Sequence, residues 1–467
     1  MLEKFANIFR VPDLRNRVLF TLGLLAVYRL GAHIPTPGIN ADLLQQFFNS
    51  QQGGFLNLVD LFNGGNLRRL TIFALGIMPY ITSSIIFQLL TVVYEPLARL
   101  QKEGEVGRKK ITQWTRYLTV ILSLVQSFAI AMQLQRGSGE IQFVTNPGPL
   151  FILGTMLTLT TGSAFIMWLG EQITERGVGN GMSLLIFTGI VVGLPNGIAD
   201  LWGKAQNATW GAFTAPAIVI LVALMILVVG FIVFVESSER RIPVQYAKRV
   251  VGRRVMGGGS THMPLRVNSG GVMPVIFASS ILTFPILLLS MFPAFKNNRW
   301  ISSMIDALKA GEPLYELFYV LAIIFFAYFY VSIVFRPSDM ADNMRKYGGF
   351  IPGIRPGKKT ADFINDVMTR ITFVGALYLI VISLIPTIMI SGIHLNNLPF
   401  IGGFFDRMPT WVTHGLGVNF YFGGTSLLIV VGVAMDTVKQ IESQLIMRHY
   451  EGFSRNAKLR SRGPRTW

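Results

Sequence analysis

The chain has 467 residues, 51% of them hydrophobic and only 14% charged, with a mean hydropathy of +0.50 and a formal net charge of +17. Such a chain is far too apolar for a water-soluble protein of its size and belongs in a bilayer. The absence of cysteine excludes disulfides, thiolate metal sites and cysteine nucleophiles.

A membrane-crossing helix needs about 20 apolar residues. Ten runs of that order, bounded by charge, Pro or Gly, are the predicted spans: 18–34, 71–93, 115–134, 149–169, 182–202, 213–235, 271–292, 314–335, 371–391 and 420–438. Residues 1–17 precede the first run and no small-residue cleavage site follows it, so it is expected to remain as a span and not to be removed as a signal peptide. Lys and Arg number about 31 in the N-terminus, the even-numbered loops and the tail 439–467, against about 8 in the odd-numbered loops. The positive-inside rule therefore places both termini in the cytoplasm.

Ahead of the second span, "GGFLNLVDLFNGGNLRRL" offers about ten helix-compatible residues between Gly53-Gly54 and Gly64-Gly65, too few to cross a membrane. It is also too apolar for an ordinary loop. Two arrangements fit: a helix lying in the interface, or a re-entrant segment folded into the protein's own cavity. The second span opens with "GIMPYITSSIIF" from Gly76, and the seventh with "GVMPVIFASSIL" from Gly271. They share G-x-M-P, an Ile two residues past the Pro, and a Ser-Ser pair one position out of register. Equivalent helices five spans apart run in opposite directions, the inverted-repeat arrangement of many conduction proteins. Pro79 and Pro274 each remove a backbone hydrogen bond and allow bending, which marks both helices as moving parts.

The basic loops 236–270, with "ERRIPVQYAKRVVGRRV", and 336–370, with "GGFIPGIRPGKKT", are each about 35 residues long, more than a simple connection needs. Contact with anionic headgroups would account for the charge alone. Two long loops with ordered-looking turns favour a docking surface. In the second, Pro352 and Pro356 fix the backbone on either side of Gly353-Ile354-Arg355 and present Arg355 on a stiff tip.

No catalytic constellation emerges. His33, His262, His394, His414 and His449 fall outside the middle of spans, no paired mid-span carboxylates occur, and "GVGNG" has no phosphate-loop lysine. No cofactor is expected. An ion-coupled secondary transporter with inverted repeats is the alternative to a conduit, and it ordinarily needs an ionisable group near mid-membrane. Arg29, Arg116 and Asp436 lie toward span ends.

The succession "IPTPGIN", "FALGIMPYITSSIIFQLLTVV", "LGEQITERGVGNGMSLLIF", "RRIPVQYAKR", "GGFIPGIRPG" and "FGGTSLLIVVGVAMD" resembles the SecY family, the pore-forming subunits of the bacterial protein-conducting translocon. The resemblance covers essentially the whole chain, and the segment 392–419 departs from it in being longer than the family usually has. The resemblance implies an all-α polytopic membrane protein, ten transmembrane helices in two inverted five-helix halves, a clamshell around an hourglass channel. The first half is expected over 18–202, the exterior loop and sixth span over 203–235, spans 7 and 8 over 271–335, and spans 9 and 10 over 371–438. The constriction ring falls on Ile77, Ile81, Met182, Ile186, Ile276 and Ile429. The plug falls on 55–66, with Phe55, Leu56, Leu58, Val59, Leu61 and Phe62. The lateral gate lies between spans 2 and 3 and spans 7 and 8, faced by Thr82 and Phe284. Lys248, Arg249, Arg253, Arg254, Arg355 and Lys358 are the implied docking residues for the SecA ATPase or for the ribosome, including phosphates of ribosomal RNA. SecE and SecG subunits, signal sequences, the nascent chain and lipids complete the implied partners, in the bacterial cytoplasmic (inner) membrane.

Overall fold

The computed structural model describes residues 11–50, 60, 63–137, 143–206, 214–246, 249–251, 254–256, 259–291, 312–391 and 424–460. The helices are α1 (Pro12–Gly31), α2 (Ala41–Ser50), α3 (Met78–Val93), α4 (Glu95–Lys102), α5 (Glu105–Arg136), α6 (Pro149–Arg176), α7 (Gly181–Gln206), α8 (Thr214–Ser237), α9 (Met273–Met291), α10 (Pro313–Val334), α11 (Pro337–Lys346), α12 (Lys358–Ser391) and α13 (Gly424–Arg460). Every predicted span carries a helix: α1, α3, α5 to α10, α12 and α13. By length and composition, five stretches among the described residues could cross a membrane: Glu105–Gln135, Pro149–Arg176, Gly181–Gly203, Pro313–Lys346 and Lys358–Ile385. A sixth is the pair α3 and α4, bent by 100°.

Several boundaries move for local reasons. The run 71–93 is helical only from Met78, because residues 71–77 form turns and Gly76 sits at φ +57°, which a right-handed helix cannot contain. At the other end the elbow between α3 and α4 falls at Tyr94, whose extended backbone (φ −102°, ψ 108°) precedes a new helix with Pro96 in its first turn. α12 begins at Lys358, well inside the predicted loop, and α13 continues to Arg460.

The chain divides into two compact units, Met1–Pro195 with Val433–Trp467, and Asn196–Gly432. In the first, α5 and α6 lie side by side, tied by an ion pair in which Arg116 Nε donates to Glu171 Oε1 at 2.7 Å. A file of aromatic rings, Tyr28, Phe73, Phe165 and Trp168, runs from α1 to α6 with centroids 5.7, 6.1 and 5.7 Å apart. Bridges Pro35↔Thr71 and Ile39↔Val144 join the segments at one end of these helices. Leu44, Leu67, Leu70, Phe143 and Leu159 form one buried cluster beneath them.

In the second unit α9 packs on α10 and α10 on α12, with Phe277 edge-on to Phe326 at 5.8 Å. The two basic loops, read from sequence as turns, form an antiparallel sheet of order β4-β1-β5: β1 (Glu239–Tyr246), β4 (Ser260–Arg266) and β5 (Gly349–Phe350). A second hairpin pairs β2 (Arg249–Val251) with β3 (Arg254–Met256). β1 and β4 run in register from Glu239↔Arg266 to Gln245↔Ser260, and β5 joins the other edge of β1 through Gln245↔Phe350 and Tyr246↔Gly349. Ile242, Leu265 and Ile351 share a buried cluster with Val331, Ile364 and Met368, seating the sheet on α10 and α12. Each such burial contributes about 2 kcal/mol, enough to hold the short β5 in place.

Candidate functional site

The internal echo is reproduced in the backbone. Gly76 and Gly271 sit at φ +57° and +58°, and in both cases the helix begins two residues later, at Met78 and Met273. Each glycine also lies beside a buried asparagine amide. Asn63 Nδ2 donates to Ala74 O at 2.9 Å, and Asn268 Nδ2 donates to Gly271 O at 3.1 Å. The two halves thus launch their equivalent helices by the same device: a left-handed glycine, a carbonyl satisfied by an amide, and a proline in the first turn.

The predicted ring residues occupy these helices and their counterparts. Ile77 immediately precedes α3 and Ile81 lies in its first turn, Met182 and Ile186 open α7, Ile276 lies in the first turn of α9, and Ile429 in the early part of α13. Ile77, Ile81, Ile186, Ile276 and Ile429 are buried, and Met182 is half-buried. The Met182 sulfur lies against Gly170 of α6, where an added methyl group would have to displace the Met182 side chain. Thr82, a predicted gate residue, is buried and donates its hydroxyl to Met78 O at 3.0 Å. Phe284 lies on α9.

The predicted plug residues Phe55, Leu56, Leu58, Val59, Leu61 and Phe62 lie outside the described residues. The end of that segment is described, and it is buried. Asp60, fully enclosed, accepts hydrogen bonds from the Leu67 and Arg68 amides at 2.8 and 3.0 Å and pairs with Arg68 Nε at 2.6 Å. Asn66 Nδ2 donates to the Tyr28 hydroxyl at 3.4 Å. Gly64 backs onto α7 so closely that a methyl there would stand 2.8 Å from the Gly189 α carbon, three residues beyond Ile186. Asn63 fills the space beside Gly76, next to Ile77. This turn therefore brings the plug segment's end to two of the predicted ring positions of its own unit. Asp60 and Asn63 are sequence signals that composition alone could not interpret: a charged and an amide side chain in an apolar run.

Among the described residues, the buried charged residues are Asp60 and Glu236, the carboxylate oxygens of Glu316 in the first turn of α10 are enclosed as well, and no cluster of His, Asp or Glu could hold a metal. Asp60 belongs to the turn just described, and Glu236 ends α8, where it accepts a bond of 2.6 Å from Asn268 Nδ2.

Beyond β5, Arg355 in the following turn and Lys358 at the start of α12 are exposed. Local contacts hold the tip. Ile351 is buried, the Ile354 amide donates to Ile351 O at 3.1 Å, and the Thr360 hydroxyl donates to Arg355 O at 2.9 Å. Ile354 packs into the cluster beneath the sheet while Arg355, next in sequence, points away from it. Arg249 and Arg254 lie on β2 and β3, and Lys248 and Arg253 fall outside the described residues, as does the segment 392–419.

Comparison with known proteins places these features in context. A family model described as SecY matches residues 71–438. The chain is 48% identical to protein translocase subunit SecY of Streptomyces galbus over 465 residues, 97% of this chain and 100% of that one. It is 46% identical to the SecY subunit of Escherichia coli K12 over 451 residues, covering 97% and 96%. In fold it is similar to a protein conducting channel (17% identity, TM-score 0.61, 92% of each chain) and to Sec61 in the canine ribosome–channel complex from the endoplasmic reticulum (17% identity, TM-score 0.58, 92% of each chain). It also resembles a SecY protein whose plug domain stabilises the closed state of the translocation channel (18% identity, TM-score 0.59, 92% of each chain).

Proposed function

The chain belongs to the SecY family, and we propose that it acts as the central channel subunit of a Sec translocon, conducting unfolded polypeptides across the membrane and, through a lateral gate, into it. The observation that carries the mechanism is the chemistry of the ring: five aliphatic side chains and one thioether, buried at the starts of α3, α7 and α9 and in α13. A passing polypeptide must not hydrogen-bond to its conduit. Apolar side chains offer it no partners, deform around it and exclude water and ions when it leaves. An ion-coupled transporter would instead need a charge at mid-membrane, and the buried carboxylates among the described residues belong to a turn preceding α3, to the end of α8 and to the first turn of α10.

The segment 55–66 is assigned as the plug that closes the channel on the exterior side of the ring, supported by the burial of Asp60, Asn63 and Asn66, which a helix lying on the membrane surface would not require. Helices α3 and α5 in one unit and α9 and α10 in the other form the gate in this reading, with Thr82 and Phe284 facing it. Arg355 and Lys358, with Lys248, Arg249, Arg253 and Arg254, form the docking surface for SecA or the ribosome. Both termini are assigned to the cytoplasm and the chain to the bacterial inner membrane, partnered by SecE and SecG. Energy comes from the driver, and the chain itself is assigned no catalytic step.

Purification of the native complex tests the reading directly. Co-isolation of a small single-span protein, together with SecA-dependent and ATP-dependent import of a precursor into vesicles containing the complex, is the expected result. Solute accumulation coupled to an ion gradient would replace the conduit with a transporter.

A further inference from the structure

We propose that Asn268 is a positioning residue that couples the cytoplasmic sheet to α9, so that docking at the sheet moves the helix. The inference rests on the docking role proposed for the Arg355 tip.

Three observations lead to it. First, the tip and the hairpin are one body: β5 is bonded to β1, and Ile351 and Ile354 share a cluster with Ile242 and Leu265. Second, the hairpin's two legs are the direct continuations of α8 and α9. The ladder extends past the strands through the Val267 amide, which donates to Ser238 O at 3.1 Å. Third, the connection from the ladder to α9, residues 268–272, contains Gly270-Gly271, with Gly271 at φ +58°, and left to itself would bend and absorb any displacement.

Asn268 spans that connection. Its Nδ2 donates to Glu236 Oε1 at 2.6 Å, on the α8 side, and to Gly271 O at 3.1 Å, on the α9 side. Asn268 and Glu236 are 5% and 8% exposed, so the bonds are sheltered from water and the acceptor carboxylate strengthens the first of them. A cavity of about 10 Å³ lies beside the connection, lined among others by Asn268, Gly270, Pro274, Thr372 and Gly375. The Thr372 hydroxyl is buried there without a hydrogen-bond partner. The connection therefore has room to shift, and the amide keeps the root of the hairpin and the start of α9 moving together. Without the amide, the glycines would let the sheet move while α9 stayed behind.

The cysteine-free chain permits a direct test. A spin label on Ile281→Cys, an exposed position of α9, reports the helix while SecA is bound in the presence of a non-hydrolysable ATP analogue. In the otherwise unsubstituted channel, binding changes the label's spectrum. In Asn268→Ala, SecA binds within about twofold of the original affinity, the spectral change is lost, and ATP-driven import falls about tenfold, the equivalent of one charge-assisted hydrogen bond. Glu236→Gln retains both responses, because its amide oxygen still accepts the bond. Glu236→Ala, which leaves Asn268 in place, loses them, and serves as the second variant should Asn268→Ala fold poorly. A merely structural role would lower thermal stability without separating binding from the helix response. A full spectral change in Asn268→Ala or Glu236→Ala overturns the coupling. Binding of SecA to the unsubstituted channel without a spectral change overturns the coupling alone, whereas failure of SecA to bind it removes the docking reading and the coupling with it.

Discussion

Single side chains decide whether the proposed seal holds. Ile81 and Ile429 are 8% and 1% exposed, and replacing either with Asn puts an amide where no partner awaits it. An unsatisfied polar group of this kind costs about 1 to 3 kcal/mol, and the cost falls on the closed state, since an open channel admits water to the amide. Ile429→Asn and Ile81→Asn are therefore expected to open more readily and to pass precursors with defective signal sequences, measured by import and by conductance in planar bilayers. Wild-type stringency in both would remove the hydrophobic-seal mechanism. The paired glycines give a second comparison. Both have φ near +57°, so any side chain pays about 1 kcal/mol for the left-handed backbone. A methyl at Gly76 also collides with the Asn63 amide, whereas one at Gly271 meets nothing within 4 Å. Gly76→Ala should lower the unfolding temperature in detergent clearly more than Gly271→Ala. Equal losses would show that backbone strain alone accounts for both positions.

The helices were legible in the sequence because twenty apolar residues have few alternatives in lipid, and the repeat was legible because G-x-M-P carries its own geometry. The sheet was not. β1 has only Ile242 and Val244 alternating inward among charged neighbours, and its partner β5 lies about a hundred residues away, a pairing no local pattern encodes. The Asp60 turn was hidden for a related reason: a carboxylate in an apolar run says nothing until the amides of Leu67 and Arg68 are seen to converge on it. That turn refines what a plug deletion should do. Removing 55–59 spares the buried bonds of Asp60, Asn63 and Asn66, so the channel is expected to stay folded and to conduct polypeptide while leaking ions when idle. Removing 55–66 takes those bonds away and should also lower stability. Unchanged ion conductance after the shorter deletion would return the segment to the membrane surface. On the sheet, Arg355 sits on a tip fixed by Ile351, Ile354 and Thr360, so little entropy is lost when a partner pairs with its planar guanidinium. Arg355→Lys keeps the charge and loses the bidentate fork, and should impair SecA-driven import much more than Lys358→Ala, with the idle channel still ion-tight. Equal activity of Arg355→Lys and the unsubstituted chain would reduce the tip to a topology signal.

The two units launch equivalent helices from Gly76 and Gly271 with the same backbone turn, and the segments that lead into those glycines differ in the way the proposed inverted repeat requires. Before Gly76 the chain forms an enclosed turn with few exposed residues, Arg69 among them, and before Gly271 it forms the basic sheet that carries Thr261 on β4. A repeat running the same way twice would put both segments on one face of the membrane, whereas an inverted repeat with five spans between the echoes would put them on opposite faces. The net charge of +17 bears on the same question: most of it lies in the tail and the loops of one side, and translocating such loops opposes the positive-inside bias. Because the chain has no cysteine, single substitutions can report each side without background. Arg69→Cys in intact cells is expected to react with a membrane-impermeant maleimide, and Thr261→Cys to react only after the membrane is opened. Lys102→Cys, beyond the elbow at the end of α3, should behave as Thr261→Cys does, since one span separates it from Arg69. Labelling of Arg69→Cys and Thr261→Cys from the same side would dismantle the inverted repeat, and with it the reason for treating α3 and α9 as counterparts in a channel built from two opposed halves.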